Sequence, residues 1–154
     1  MKTHTIGLIS DTHDLVRPEA RRALMGAEHI IHAGDICSAH VLDALREIAP
    51  VSAVRGNNDR GPWAQQIPEE RIVTIAGINI YVIHNIAQLN ADLQAARITV
   101  VIYGRSHKPL IEEKDGVIFV NPGSAGPRRF RLPISAGLLS IRGTEVVAKL
   151  CDLA

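Results

Sequence analysis

The feature that most constrains the fold is an alternation of short β-branched apolar runs with polar, glycine-bearing ends. Thr5–Ser10, Ile30–Ala33, Val51–Val54, Ile72–Ile75, Ile78–Ile83 and Thr99–Tyr103 read as strands. Several are apolar almost throughout, which suits strands covered on both faces. Helical periodicity lies between them. Ser38 can cap a helix whose apolar face is Val41, Leu42, Leu45 and Ile48, ended by Pro50. Arg17–Gly26, with Pro18 near its start, reads as another helix. Ile86, Leu89, Leu93 and Ala96 recur at helical spacing after Asn85, which predicts a third. From Leu110 the pattern changes. Leu110–Lys114, Val117–Val120, Ala136–Ile141 and Val146–Leu150 are strand-like, with hairpin turns at Asp115-Gly116 and Gly143. Helix-alternating strands followed by hairpins predict an α/β fold: a four-layer αββα sandwich of two mixed sheets flanked by helices.

The length of 154 residues predicts one domain over residues 1–154, at roughly 150 residues per domain. No repeat or linker divides it. A net charge of +1 provides no field to draw nucleic acid or an acidic membrane, and 3% aromatics are too few for a base-stacking groove. No apolar stretch approaches the roughly 18 residues of a membrane span. The first residues run into a strand without a signal-peptide pattern, and Cys37 and Cys151 form no CxxC pair or disulfide framework. The expected setting is cytoplasmic, and a homo-oligomer is compatible with these features.

The residues at the end of each apolar run carry the chemistry. Asp11-Thr12-His13 comes after the first and Gly34-Asp35 after the second. Arg55-Gly56-Asn57-Asn58-Asp59 comes after the third. His84-Asn85 succeeds Ile78–Ile83, and Gly104-Arg105-Ser106-His107 succeeds Thr99–Tyr103. In parallel sheets the carboxyl ends of strands share one edge, where ligands bind. If these strands are parallel, two aspartates, three histidines and an asparagine converge there. Oxygen and nitrogen donors without cysteine suit Mn, Fe, Co, Ni or Zn and disfavour a thiolate zinc site. Gly34, Gly56 and Gly104 allow sharp turns and close approach at the same places.

In this order, D-x-H at Asp11–His13, G-D at Gly34-Asp35, G-N-x-D at Gly56–Asp59, His84, and G-x-x-H at Gly104–His107 resemble the calcineurin-like metallophosphoesterases. The likeness is greatest to their small bacterial and archaeal phosphodiesterase branch, the YfcE type, and Asn121-Pro122-Gly123-Ser124 matches a turn common there. The resemblance implies two divalent metal ions, manganese before zinc, iron, nickel or cobalt. Asp11, His13, Asp35 and His107 would hold the first ion. Asp35, Asn57 and His84 would hold the second, with Asp35 bridging. It also implies in-line hydrolysis of a small phosphate ester by a metal-activated hydroxide, with Asp35, Asn57 and Asn58 as catalytic residues.

Three positions depart from the family pattern. Arg105 stands where the second ion usually finds a histidine; a guanidinium cannot coordinate, so it is expected to grip substrate phosphate while that ion binds weakly or not at all. Asn58 stands where many members have a histidine proton donor; its amide can contact substrate but cannot act as a general acid. Asn85, in place of the usual glycine after His84, changes little.

Asp59 is expected to position its loop rather than touch metal, and His32 to stay outside the ligand set. His4, His29 and His40 read as structural or surface residues. Arg55 and Arg128–Arg131 read as solvated loops, Trp63 as a loop anchor, and Cys37 as a structural thiol with no legible histidine partner. The same fold is similar to a retromer subunit that acts as a protein scaffold. The alternatives to a two-metal phosphodiesterase are therefore a scaffold of this fold and a one-metal phosphate-binding enzyme using Arg105.

Overall fold

The computed structural model describes residues 1–129 and 131–153. Two five-stranded mixed sheets pack face to face. The first holds β1 (Thr3–Ile9), β2 (His29–His32), β3 (Val51–Ala53), β9 (Ser135–Arg142) and β10 (Glu145–Asp152), in the order β10-β9-β1-β2-β3. The second holds β4 (Glu70–Ile75), β5 (Ile78–Ile83), β6 (Ile98–Ile102), β7 (Leu110–Lys114) and β8 (Val117–Asn121), in the order β4-β5-β6-β8-β7. The strands that precede the polar clusters are parallel within each sheet: β1 with β2 and β2 with β3, and β5 with β6. The hairpin strands β7, β9 and β10 run antiparallel to their neighbours.

The near-continuous apolar runs are explained by burial on both faces. Ile6, Leu8 and Ile31 of the first sheet meet Ile80, Val82, Val100, Ile102 and Val120 of the second, all fully buried. Each such side chain contributes about 1.5–3 kcal/mol relative to exposure. On its other face the first sheet packs against α1 (Pro18–Leu24) and α2 (Ala39–Arg46) through Ile9, Leu24, Ile30, Val41 and Leu45. Pro18 opens α1, and the Ser38 hydroxyl caps α2 by accepting from the His40 N–H at 3.2 Å. A short α3 (Pro62–Gln65) lies between β3 and β4, and Trp63 packs against the helix-side core.

The outermost layer differs from expectation. Ile86–Ala96 is not one helix but a 3-10 turn over Ile86–Gln88 followed by turns. Asn85 Oδ1 accepts from the Ala87 N–H and Asp92 Oδ1 from the Ala95 N–H, both at 3.0 Å, so each polar side chain starts its own turn. Leu89, with ψ 119°, breaks the helix between them. Ile86, Leu89, Leu93 and Ala96 nonetheless cover Tyr81, Val101 and Tyr103 on the second sheet. The apolar spacing reports the buried side of the segment, while the local hydrogen bonds decide its backbone.

Candidate metal centre

The loops after β1, β2, β5 and β6 meet at one edge of the sandwich, across both sheets. His84 Nε2 lies 3.4 Å from Asp35 Oδ2 and 3.9 Å from Asp11 Oδ1. His13 Nε2 lies 3.8 Å from Asp35 Oδ2 and 3.9 Å from Asp11 Oδ1, and His107 Nε2 lies 3.5 Å from Asp11 Oδ1. Two overlapping groups result, Asp11–His13–His107 and Asp11–Asp35–His84, each compact enough to hold a cation. The carboxylate common to both is Asp11, whereas the family pattern assigns the bridge to Asp35. Asn57 sits exposed beside His84 at the mouth.

Buried atoms without partners test whether a cation fits. Asp11 Oδ1, His13 Nε2 and His84 Nε2 are buried with no hydrogen bond, at a cost of about 1–3 kcal/mol for each such group. All three point into the same space. The Ala33 carbonyl 2.7 Å from His84 Nδ1 can only accept, so Nδ1 carries the proton and the Nε2 lone pair faces two carboxylates. A lone pair facing oxygens is repulsive unless a proton or a cation lies between. The donor set and its orphaned atoms fit a divalent ion.

Burial and neighbouring charge compete at each of these groups. Burial pushes the Asp11 carboxyl above the ordinary carboxylate range, against the pull of His84. Burial also opposes the charge on Asp35, but the neighbouring His84 ring and the hydrogen bonds from Asn58 outweigh it and hold that carboxyl low. In His84 burial is overcome by Asp35 and Asp11, which raise it, whereas burial lowers His107.

The backbone is bent to make the cluster. Asp11, His13, Asp35 and His107 all adopt left-handed conformations, with φ 53°, 46°, 55° and 65°. Such strain costs on the order of 1–3 kcal/mol per residue and persists where the surroundings impose it. Here the Asp11 N–H donates to the Gly34 carbonyl at 2.9 Å and the His13 N–H to the Asp35 carbonyl at 3.1 Å, lacing the β1 and β2 loops together. Two glycines are required by contact. A Cβ on Gly56 would collide with Asp35 Oδ1 and with the Asp35 backbone nitrogen. One on Gly104 would lie 2.7 Å from Asp11 Oδ2.

Asn58 holds Asp35: its N–H donates to Oδ1 and its side-chain Nδ2 to Oδ2, both at 3.0 Å. Asp59 accepts from the Cys37 N–H at 2.7 Å and the Gly56 N–H at 2.8 Å, tying the β2 and β3 loops together. The Arg105 N–H donates to Asp11 Oδ2 at 3.1 Å, while its exposed guanidinium has no partner among the described residues. Cys37 Sγ approaches His13 Nδ1 at 3.6 Å, a pairing with no local sequence signal, and burial pushes its thiol up to about 11. Arg55 pairs with Glu69 at 2.9 Å, His4 with Glu28 at 3.0 Å, and His40 with Asp14. Phe130, inside the basic Arg128–Arg131 stretch, lies outside the described residues.

Several supports are invisible in the sequence because they join distant segments. Ser10 Oγ donates to Asp11 Oδ2 at 2.7 Å. Ser124 Oγ donates to the Asp11 carbonyl, and buried Asn121 donates to the Gly104 carbonyl and Ser106 Oγ. The Asn121–Ser124 turn therefore braces both the β1 and β6 loops. Fully buried His32 accepts from the Gly34 N–H at Nδ1, so its Nε2 donates to Thr12 Oγ1, which donates to the Ile36 carbonyl. Beside Gly56, Asn57 and His84 opens a cleft of about 720 Å³, bounded by the segment from Arg60 to Glu70 and by Asn85 and Gln88.

Comparison with known proteins bears on this arrangement. The family model of the calcineurin-like phosphoesterase superfamily domain matches residues 5–144. A protein of Methanothermobacter thermautotrophicus named "Probable metallophosphoesterase" is 35% identical, covering 94% of this chain and 90% of its own. A phosphodiesterase of Methanocaldococcus jannaschii is 34% identical over 77% of this chain and 82% of its own. The solved structure of Vacuolar Protein Sorting 29 from Cryptosporidium parvum shares the fold, with TM-score 0.84, 24% identity, and coverage of 99% and 92% of the two chains.

Proposed function

Since the chain belongs to the calcineurin-like phosphoesterase superfamily, we propose that it is a divalent-metal-dependent hydrolase of phosphodiesters, with Asp11, His13, Asp35, His84 and His107 as the metal-holding residues. The observation that carries this reading is the set of buried, partnerless atoms on Asp11, His13 and His84 aimed at one space. Two ions are expected, manganese foremost, with Asn57 completing the shell of the second beside His84. Bound there, the ions would supply positive charge to the phosphoryl oxygens and lower the pKa of an attacking water.

The protein's own groups do the rest. Asn58, Ser10 and the Arg105 N–H fix the two carboxylates, and the Ala33 carbonyl fixes the His84 ring. The Arg105 guanidinium, without a protein partner among the described residues, is free to take two phosphate oxygens in a forked contact. Water oxygen bonds to phosphorus as the alcohol's P–O bond breaks, and one water proton ends on the departing oxygen. The Asn58 amide cannot supply that proton, which favours esters whose alcohol leaves as a stable anion. The unpaired ligand-type atoms call for a cation in the interior, and turnover is what separates this enzyme from a scaffold of the same fold.

The test is hydrolysis of bis(p-nitrophenyl) phosphate by protein stripped with EDTA and then titrated with Mn²⁺. Activity absent after stripping and restored by manganese supports the reading. Equal activity in both states, or none in either, refutes it.

A further inference from the structure

The cleft beside the candidate metal centre has its own chemistry. Its volume of about 720 Å³ far exceeds what a phosphate group fills, and it is continuous with the site through Gly56, Asn57 and His84. Among the described residues no Phe, Tyr or Trp lines it. Trp63 packs instead against the helix-side core, and Tyr81, Tyr103 and Phe119 belong to the outer cluster on the second sheet. A nucleobase or aryl ring would find no stacking face there.

The cleft is not generally cationic either. Arg55 and Arg60 line it against Asp59, Glu69 and Glu70, and Arg55 is already paired with Glu69. One more carboxylate than guanidinium disfavours a second phosphate in the cleft. The carboxylates are already engaged, Glu69 by Arg55, Glu70 by the Tyr81 hydroxyl and Asp59 by two backbone N–H groups, so the groups still open are amides and one guanidinium, donors and acceptors suited to hydroxyls. The side chains of Arg60, Gln65 and Gln88 are exposed and have no partner among the described residues. Gln65 on α3 and Gln88 on the 3-10 turn come from the two segments that bound the cleft.

Resting on the phosphodiesterase reading above, we propose that this cleft selects phosphodiesters with a polyhydroxylated arm, a glycerol or sugar unit, bound through Gln65, Gln88 and Arg60. A polyol alkoxide leaves poorly without a proton, and Asn58 offers none. The arm is therefore the ester that phosphorus retains, and the product is a polyol monophosphate.

Calorimetry on the manganese-loaded protein tests this with glucose 6-phosphate, glycerol 3-phosphate, phenyl phosphate, AMP and inorganic phosphate as probes. The polyol phosphates are expected to bind about tenfold tighter than inorganic phosphate, as one or two added neutral hydrogen bonds would give. Phenyl phosphate and AMP should gain nothing comparable. In the double variant Gln65→Ala/Gln88→Ala the polyol advantage should fall away while inorganic phosphate affinity stays within about twofold. Equal affinities in the parent protein, a preference for the aromatic probes, or an advantage that survives the double variant overturns the proposal. If inorganic phosphate binds and the aryl diester is turned over but polyols gain nothing, this inference alone fails. If neither phosphate binding nor turnover occurs, the underlying reading fails with it.

Discussion

Asp11→Asn should move stability in opposite directions with and without metal. In the metal-free protein the Asp11 carboxylate is fully buried and one oxygen has no partner, while the other accepts from Ser10 Oγ and the Arg105 N–H. Asparagine keeps an oxygen for those two donors. It puts an NH₂ where Oδ1 faced the Nε2 atoms of His107, at 3.5 Å, and His84, at 3.9 Å. Removing a buried charge and supplying a donor to a lone pair should stabilise the EDTA-treated variant by about 1 kcal/mol, taken from the low end of the penalty for an unpaired buried group. For a chain of this length that raises Tm by roughly 2–4 °C. The parent protein in manganese at a hundredfold over Kd gains about 2.7 kcal/mol, or roughly 5–10 °C, which the variant forfeits. Thermal denaturation at pH 7.5, with EDTA and then with Mn²⁺, gives both numbers. The order of the two proteins should invert between conditions. A variant less stable than the parent in EDTA, or one that still rises with manganese, refutes the reasoning.

The same geometry predicts three further outcomes. Gly56→Ala drives a Cβ against Asp35, whose backbone nitrogen cannot rotate away, so it should cost about 1–3 kcal/mol in urea unfolding and weaken manganese binding at least about tenfold. His32, held neutral by burial and lowered to about 3 from 6.5, binds fewer protons folded than unfolded between those values. Stability of the metal-free protein should thus fall on acidification through that window, with His32 adding a slope of about 1.4 kcal/mol per pH unit, and His32→Asn should flatten it. Arg105→His should raise the affinity for a second manganese in calorimetry and, by losing a forked charged contact, raise KM for the aryl diester at least about tenfold; unchanged stoichiometry and KM would remove Arg105 from the phosphate site.

The strand ends are legible in the sequence because burial on both faces forces unbroken Val/Ile runs, and the first polar residues after Ile9, Ala33, Ile83 and Tyr103 fall at the sheet edge by simple continuation. Parallel pairing of β1 with β2 and of β5 with β6 then brings those loops to the same end. The outer segment 86–96 departs from the expected helix because its apolar spacing fits a helix equally well as two turns, and Asp92 tips the balance through a bond to Ala95. Asn58 stands out in the sequence by the proton it cannot give, whereas its structural partner is the Asp35 carboxylate 23 residues away. The bracing of Asp11 by Ser124 crosses 113 residues, and no local pattern encodes it. Nor does composition announce left-handed backbone at His13 and His107, which the surrounding loops impose.

The most direct test of the account is anomalous diffraction from a crystal soaked in manganese. A peak within coordination distance of Asp11 Oδ1 and of Nε2 in His13, His84 or His107 is the predicted result. Density confined to surface carboxylates, with the interior of this cluster holding no manganese, would contradict it.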